Sequence, residues 1–186
     1  MEHVCSLMGK FDACVATTGF AGRELYELRK RLDQPGNRDF LCVGSMGHAS
    51  SIAMGVALGK PSKHVYVLDG DGAMLMHMGA IPQIGCRDIP NLKHILFNNE
   101  SHDSVGGQPT VAASIDIPTV VKACGYKYVG VASTPDEIAR EMEIIKNTDG
   151  PVFLEIKVNR STRKDLGRPK ETPKSNKERF IQFLDS

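Results

Sequence analysis

Gly70-Asp71-Gly72 and Asn98-Asn99, with twenty-five residues between them, constrain this chain more than any other stretch. Each is preceded by a short apolar run, His64-Val65-Tyr66-Val67-Leu68 and Lys93-His94-Ile95-Leu96-Phe97. Both runs are rich in β-branched or aromatic residues and bounded by turn formers, the pattern of buried strands. The interval is long enough for a crossover helix, so the unit reads β-α-β. Parallel strands joined this way keep their carboxyl ends on one edge of the sheet, which is where open α/β sheets bind ligands. Asp71 and Asn99 are therefore expected side by side.

Four more runs read as strands: Asp12–Ala16, Phe40–Val43, Tyr126–Val129 and Pro151–Val158. Helical patterns separate them, at Arg23–Arg29, His48–Leu58 and Ile117–Cys124, and after Thr134-Pro135-Asp136-Glu137, a capping box with proline at the first position. Six strands alternating with helices predict an α/β fold, a doubly wound, mostly parallel six-stranded sheet with helices on both faces. Between Gly72 and Ile84 the spacing predicts a turn and then a helix, which Pro82 should bend or delay.

With 186 residues and 41% hydrophobic content, one domain is expected, over residues 1–158. From Asn159 the composition shifts to eight Lys or Arg against four Asp or Glu, leaving 15 against 18, net −3, before it. Residues 159–186 thus read as a basic extension packing on the same domain or on a partner. A net charge of +1 and no basic stripe interleaved with aromatics argue against nucleic acid. No apolar run reaches the length of a membrane span and no leader pattern opens the chain, so a cytoplasmic protein is expected. Cys5, Cys14, Cys42, Cys86 and Cys124 are odd in number and form no C-x-x-C pair, which reads as buried free thiols.

A carboxylate, an amide oxygen and a free backbone carbonyl just after the second strand are hard ligands suited to Mg²⁺, whose remaining positions usually go to phosphate oxygens and water. The two glycines would let backbone N–H groups approach a diphosphate. Neither common nucleotide motif competes. Gly70-Asp71-Gly72 lacks the third glycine of G-x-G-x-x-G, position 75 being leucine, and Gly59-Lys60 lacks the upstream glycine of a P-loop.

Gly-Asp-Gly followed at this distance by Asn-Asn resembles the signature of thiamine diphosphate-dependent enzymes. The neighbouring residues Val43-Gly44-Ser45-Met46-Gly47-His48, Asp69-Gly70-Asp71-Gly72, His77-Met78-Gly79-Ala80 and Asn98 through Thr110 are similar to the 2-oxoacid decarboxylases that act on phosphonopyruvate. The subunits that decarboxylate sulfopyruvate are near relatives. The resemblance runs from about Asp12 to the C-terminus and implies thiamine diphosphate and Mg²⁺ as cofactors, with a small 2-oxoacid as substrate. It places the metal on Asp71, Asn99 and the Ser101 carbonyl. Cofactor contacts carry over to Thr17, Thr18, Gly19, Gly44, Ser45, Met46, Gly70, Gly72, Ala73 and His102, and the reacting groups to His102 and Asp103. It further implies a pyrimidine-binding domain or subunit that no residue here supplies, and an oligomer.

Plainer readings stand beside these. Thr17-Thr18-Gly19 also suits a helix-capping loop, Met46 a core methionine, and His77 a helix start. Gly106-Gly107 reads as a tight bend or mobile lid. Arg160, Arg163, Lys164 and Arg168 could clasp a phosphonate or form a solvated or subunit-crossing arm. Two other functions share the pattern: a thiamine-dependent oxidoreductase subunit, and a noncatalytic regulatory module that keeps the fold.

Overall fold

A computed structural model describes residues 1–161, 163 and 165–186, so Lys164 lies outside the described residues. A first helix, α1 (Glu2–Leu7), precedes β1 (Ala13–Ala16) and α2 (Phe20–Arg31), then β2 (Asp39–Leu41) and α3 (Ala49–Gly59). The central crossover runs from β3 (Val65–Gly70) through two short helices, α4 (Asp71–Met76) and α5 (Ala80–Gly85), to β4 (Leu92–Asn98). A small hairpin follows, β5 (Ser101–His102) and β6 (Gln108–Pro109), then α6 (Ile117–Ala123), β7 (Tyr128–Ala132), α7 (Pro135–Asn147), β8 (Val152–Lys157) and α8 (Pro173–Leu184).

Six strands pair in the order β2-β1-β3-β4-β8-β7, and every pairing in this sheet is parallel. Strand order reverses at β1, which has β2 on one side and β3 on the other. That switch point opens a crevice beyond the carboxyl ends of β1 and β3, because the chain leaves them in opposite directions. The central strands are buried on both faces and read as continuous apolar runs for that reason. One face is covered by Ala49, Ala53 and Ala57 of α3, with Ile81 and Ile84 of α5 and Phe180 and Phe183 of α8. Leu25 and Leu28 of α2, Val4 of α1, and Met142 and Ile145 of α7 cover the other.

The crossover differs from the expected turn and single helix. Helix α4 begins at Asp71 itself and stops at His77, and α5 restarts at Ala80. Pro82 thereby falls in the first turn of α5, where an N–H would have no intrahelical acceptor, so its lack of one costs nothing.

Residues 172–184, read from sequence only as basic tail, form a full helix. Thr172 caps it by accepting from the Ser175 N–H (3.1 Å), Pro173 opens it, and Asn176, Phe180 and Phe183 are buried. The Asn176 side chain does the work of a neighbouring strand. Its Oδ1 accepts from the Leu41 N–H (2.9 Å) and its Nδ2 donates to the Asp39 carbonyl (2.8 Å), closing the outer edge of β2. Below it Arg29 clasps the Asp39 carboxylate with two bonds, 2.7 and 3.0 Å, and ties α2 to the same strand. The capping box at Thr134 and Glu137 forms as the sequence suggests. No helix among the described residues is long and apolar enough to cross a membrane.

Candidate functional site

A cleft of about 190 Å³ opens at the switch point. It is walled by the loops after β1, β3 and β4, which supply Thr17 and Thr18, Asp69 through Ala73, and Asn99 with Ser101 through Ser104. Met46 lines it from the loop after β2, and Asn159 and Ser161 from the segment after β8. A second cleft of about 200 Å³ beside Arg29 and Arg179 is similar in volume. Its floor is the closed Arg29–Asp39 pair, so chemistry rather than size singles out the first.

The β3–β4 register pairs Gly70 with Phe97, which places Asp71 and Asn99 each one residue beyond the ends of neighbouring strands. Asp71 is buried, and its carboxylate accepts from the Thr110 hydroxyl (2.5 Å). Burial raises the Asp71 carboxyl above the ordinary carboxylate value, and the Thr110 hydroxyl, with nearby backbone N–H groups, opposes the rise. A cation there would relieve a charge the fold has already desolvated.

Two Asx turns shape the next corner. Asn98 Oδ1 accepts from the Glu100 N–H (3.0 Å) and Asn99 Oδ1 from the Ser101 N–H (3.1 Å), while Glu100 takes a left-handed conformation (φ +58°) between them. The two asparagines diverge. Asn98 is buried and donates to Glu155 Oε1 (2.6 Å), a structural tie to β8, whereas Asn99 faces the cleft. The Thr110 N–H bonds the Glu100 carbonyl across the hairpin, so Ser101 and Pro109 form a non-hydrogen-bonded pair and the Ser101 carbonyl points away from β6.

Glycines let these loops close on one another. A Cβ at Gly72 would stand 2.5 Å from the His102 ring, and one at Gly19 (φ +99°) would stand 3.1 Å from Ser104 Oγ. The Thr17 loop, the Gly70 loop and the hairpin are thereby in contact. Thr17 Oγ1 is buried at this junction without a hydrogen-bond partner among the described residues.

Thr17, Thr18, Met46, Gly70 to Ala73, Asn99, Ser101, His102 and Asp103 all line the cleft. Gly19 stands behind it as the N-cap of α2. Gly44 and Ser45 are exposed and outside the lining, in a loop where both have positive φ, +72° and +47°. His77 also lies outside it, its ring 4.1 Å from that of His48, next to Gly47. Asp103 engages both carboxylate oxygens within its own turn, with Asn99 Nδ2 (2.8 Å) and Ser101 Oγ (2.6 Å). Arg160 donates to the carbonyls of Asn99 (3.2 Å) and Glu100 (3.3 Å), Arg163 pairs with Asp165 (2.8 Å), and Arg168 is exposed.

Sequence reasoning passed over three features. Thr110 reaches Asp71 from the far end of the hairpin. Buried Asp69 lies with Oδ2 3.4 Å from Nε2 of buried His94, whose Nδ1 is 3.2 Å from the Tyr126 hydroxyl. Glu155 holds Asn98. Each is a contact across strands or loops, visible only once the register is known.

The donor set fits a hard cation carrying a diphosphate. Among the described residues it offers one carboxylate, one amide oxygen and one unclaimed carbonyl, beside a glycine corner open to backbone approach and an orphaned hydroxyl.

A family model described as thiamine pyrophosphate enzyme, C-terminal TPP binding domain, matches residues 26–156. The chain is 36% identical over 184 residues to a phosphonopyruvate decarboxylase from Streptomyces viridochromogenes, covering 99% of this chain and 45% of that protein. It is 37% identical over 147 residues to a sulfopyruvate decarboxylase subunit beta from Methanothermobacter thermautotrophicus, covering 79% and 74%. The solved benzoylformate decarboxylase from Polynucleobacter necessarius aligns with a TM-score of 0.72 over 87% of this chain and 33% of that one. At 18% identity this last likeness is one of fold. The chain spans 45% and 44% of the lengths of the two phosphonopyruvate decarboxylases it matches.

Proposed function

Because the chain belongs to the thiamine pyrophosphate enzymes, as their C-terminal TPP-binding domain, we propose that it is the diphosphate- and Mg²⁺-binding half of a decarboxylase converting 3-phosphonopyruvate to phosphonoacetaldehyde and CO₂. The observation that carries this reading is the similarity to phosphonopyruvate decarboxylase along 99% of the chain. The cleft at the switch point gives that similarity a physical site.

In this reading Asp71, the Asn99 amide oxygen and the Ser101 carbonyl hold Mg²⁺, and the backbone at Gly70, Gly72 and Ala73 receives the diphosphate. Thr17, Thr18 and Gly19 bound the cofactor on one side, and Met46, with Gly44 and Ser45 behind it, on the other. Bound thiamine diphosphate supplies the carbanion that adds to a 2-oxo carbon and the electron sink that lets CO₂ leave. His102, packed over Gly72 at the mouth, is placed to hold the phosphonate or to move a proton at its ring. The hairpin carrying it walls off water.

A pyrimidine-binding unit, on this chain or a second one, covers the open side. The cleft is smaller than the roughly 300–1,000 Å³ of a site that encloses a small ligand, which suits one end of the cofactor. Free thiols throughout fit a reducing cytoplasm.

Sulfopyruvate is the second substrate to consider, because a sulfopyruvate decarboxylase subunit beta matches at 37% identity over 74% of its length. The test supplies the chain with its pyrimidine-binding unit, Mg²⁺ and thiamine diphosphate, and measures CO₂ release from both acids. Faster release from phosphonopyruvate, lost in Asp71→Ala together with cofactor affinity, is expected. Faster release from sulfopyruvate would move the assignment, and a normal enzymatic rate from the chain alone would refute the half-site reading.

A further inference from the structure

We propose that Asp103 and Thr110 are positioning residues for the metal site: Asp103 sets which end of the Asn99 amide faces the cation, and Thr110 sets which Asp71 oxygen is left to bind it. This deepens the reading above and rests on it. An asparagine can present either its oxygen or its NH₂ group to a ligand, and only the oxygen can bind Mg²⁺. The structure settles that choice from two directions. An ionised carboxylate accepts only, so Asp103 Oδ2, 2.8 Å from Asn99 Nδ2, claims the NH₂ end. The Ser101 N–H donates only and claims Oδ1 at 3.1 Å.

Asp103 is itself held. Its second oxygen accepts from Ser101 Oγ at 2.6 Å, so the carboxylate bridges the two residues that offer neutral oxygens to the metal. With both oxygens engaged in this turn, it is placed to orient Asn99 and Ser101.

Thr110 does the equivalent for Asp71. Its Oγ1 accepts from the Ala112 N–H (3.3 Å), so its single hydroxyl proton is free to go to Asp71 Oδ2 (2.5 Å). That leaves Oδ1 as the oxygen with no side-chain donor. The Thr110 N–H is anchored on the Glu100 carbonyl (3.0 Å), inside the same corner. One orienting side chain thus directly follows β5 and the other directly follows β6, with Gly106 and Gly107, both at positive φ, in the bend between them.

The test titrates Mn²⁺ by the electron paramagnetic resonance of the free ion, with thiamine diphosphate present, on the chain assembled with its pyrimidine-binding unit. Asp103→Asn keeps the shape but can donate as well as accept, so only the Ser101 N–H is left to fix the sense of the Asn99 amide. Loss of such an outer partner typically weakens metal binding about 10- to 100-fold, and a loss in that range is expected. In an Asn99→Asp background, where either oxygen can bind, the same Asp103→Asn change should have little effect or improve affinity. An equal loss in both backgrounds would show a general structural or charge effect and overturn the proposal.

Should Asp103→Asn fail to fold, Thr110 carries the test. Thr110→Val should weaken Mn²⁺ about tenfold or more while Thr110→Ser binds like the parent, and equal binding by all three would overturn the proposal. If the parent itself shows no Mn²⁺ binding that depends on thiamine diphosphate, the functional reading fails and this one falls with it. If the parent binds and Asp103→Asn binds equally well, the functional reading stands and only this inference is lost.

Discussion

Five thiols in one chain have sharply different surroundings. Cys5, Cys14 and Cys42 are buried, Cys124 is half-buried and Cys86 is exposed, so the reading of buried free thiols holds for most of them and fails at Cys86. Burial pushes the Cys42 thiol up to about 12, with the Asp69 carboxylate adding to the rise, and burial likewise raises Cys5 and Cys14. The thiolate is the reactive form, so these three are inert twice over, by access and by protonation. Alkylation of the native protein near pH 8 followed by mass spectrometry should label Cys86 first and leave Cys5, Cys14 and Cys42 unmodified until denaturant is added. Prompt native labelling of Cys42 would contradict its burial. Asp69 itself shows how much a residue's role depends on its neighbours. In sequence it is merely the residue before Gly70-Asp71-Gly72, and only the pairing of β3 with β4 brings it within 3.4 Å of His94.

Elements answered to sequence reasoning in proportion to how local their causes are. The six strands and the box-capped α7 follow from apolar runs and cap residues a few positions apart, and the structure contains them. The hairpin leaves no strand signal beyond the bend at Gly106-Gly107, because two-residue strands carry no periodicity. Helix α8 did leave a signal, Thr172-Pro173 followed by Phe180, Phe183 and Leu184 at helical spacing, which the basic composition around it obscured. Convergence of the Thr17, Gly70 and Asn99 loops was legible because parallel strands must end on one edge. The exclusion of Gly44 and Ser45 from the cleft lining was not, because it depends on left-handed turns in the loop after β2. Asn176 offers the cleanest test at this scale. Asn176→Leu fills similar space but orphans the Leu41 N–H and the Asp39 carbonyl, at about 1–3 kcal/mol for each buried group left unpaired. A lower urea midpoint with an unchanged slope is the expected result, and an unmoved midpoint would mean that solvent already reaches the β2 edge.

At the scale of the whole molecule, α8 both completes one face of the core and closes one margin of the sheet. Removing residues 172–186 would expose the surface that Phe180 and Phe183 cover, a loss of roughly 1.5–3 kcal/mol for each ring, and would uncover β2. The shortened chain should melt at a lower temperature and gain mass without limit in sedimentation. A shortened chain of fixed mass and unchanged melting would refute this account of α8. The sheet's two margins are unlike, since β2 is sealed by Asn176 and no side-chain seal of that kind is seen on β7 among the described residues. In the language of step-growth polymerisation, a sheet with two bare margins is a bifunctional monomer and extends into fibres. With Asn176 in place this chain is monofunctional, so margin-to-margin addition, if it begins at β7, terminates at the pair.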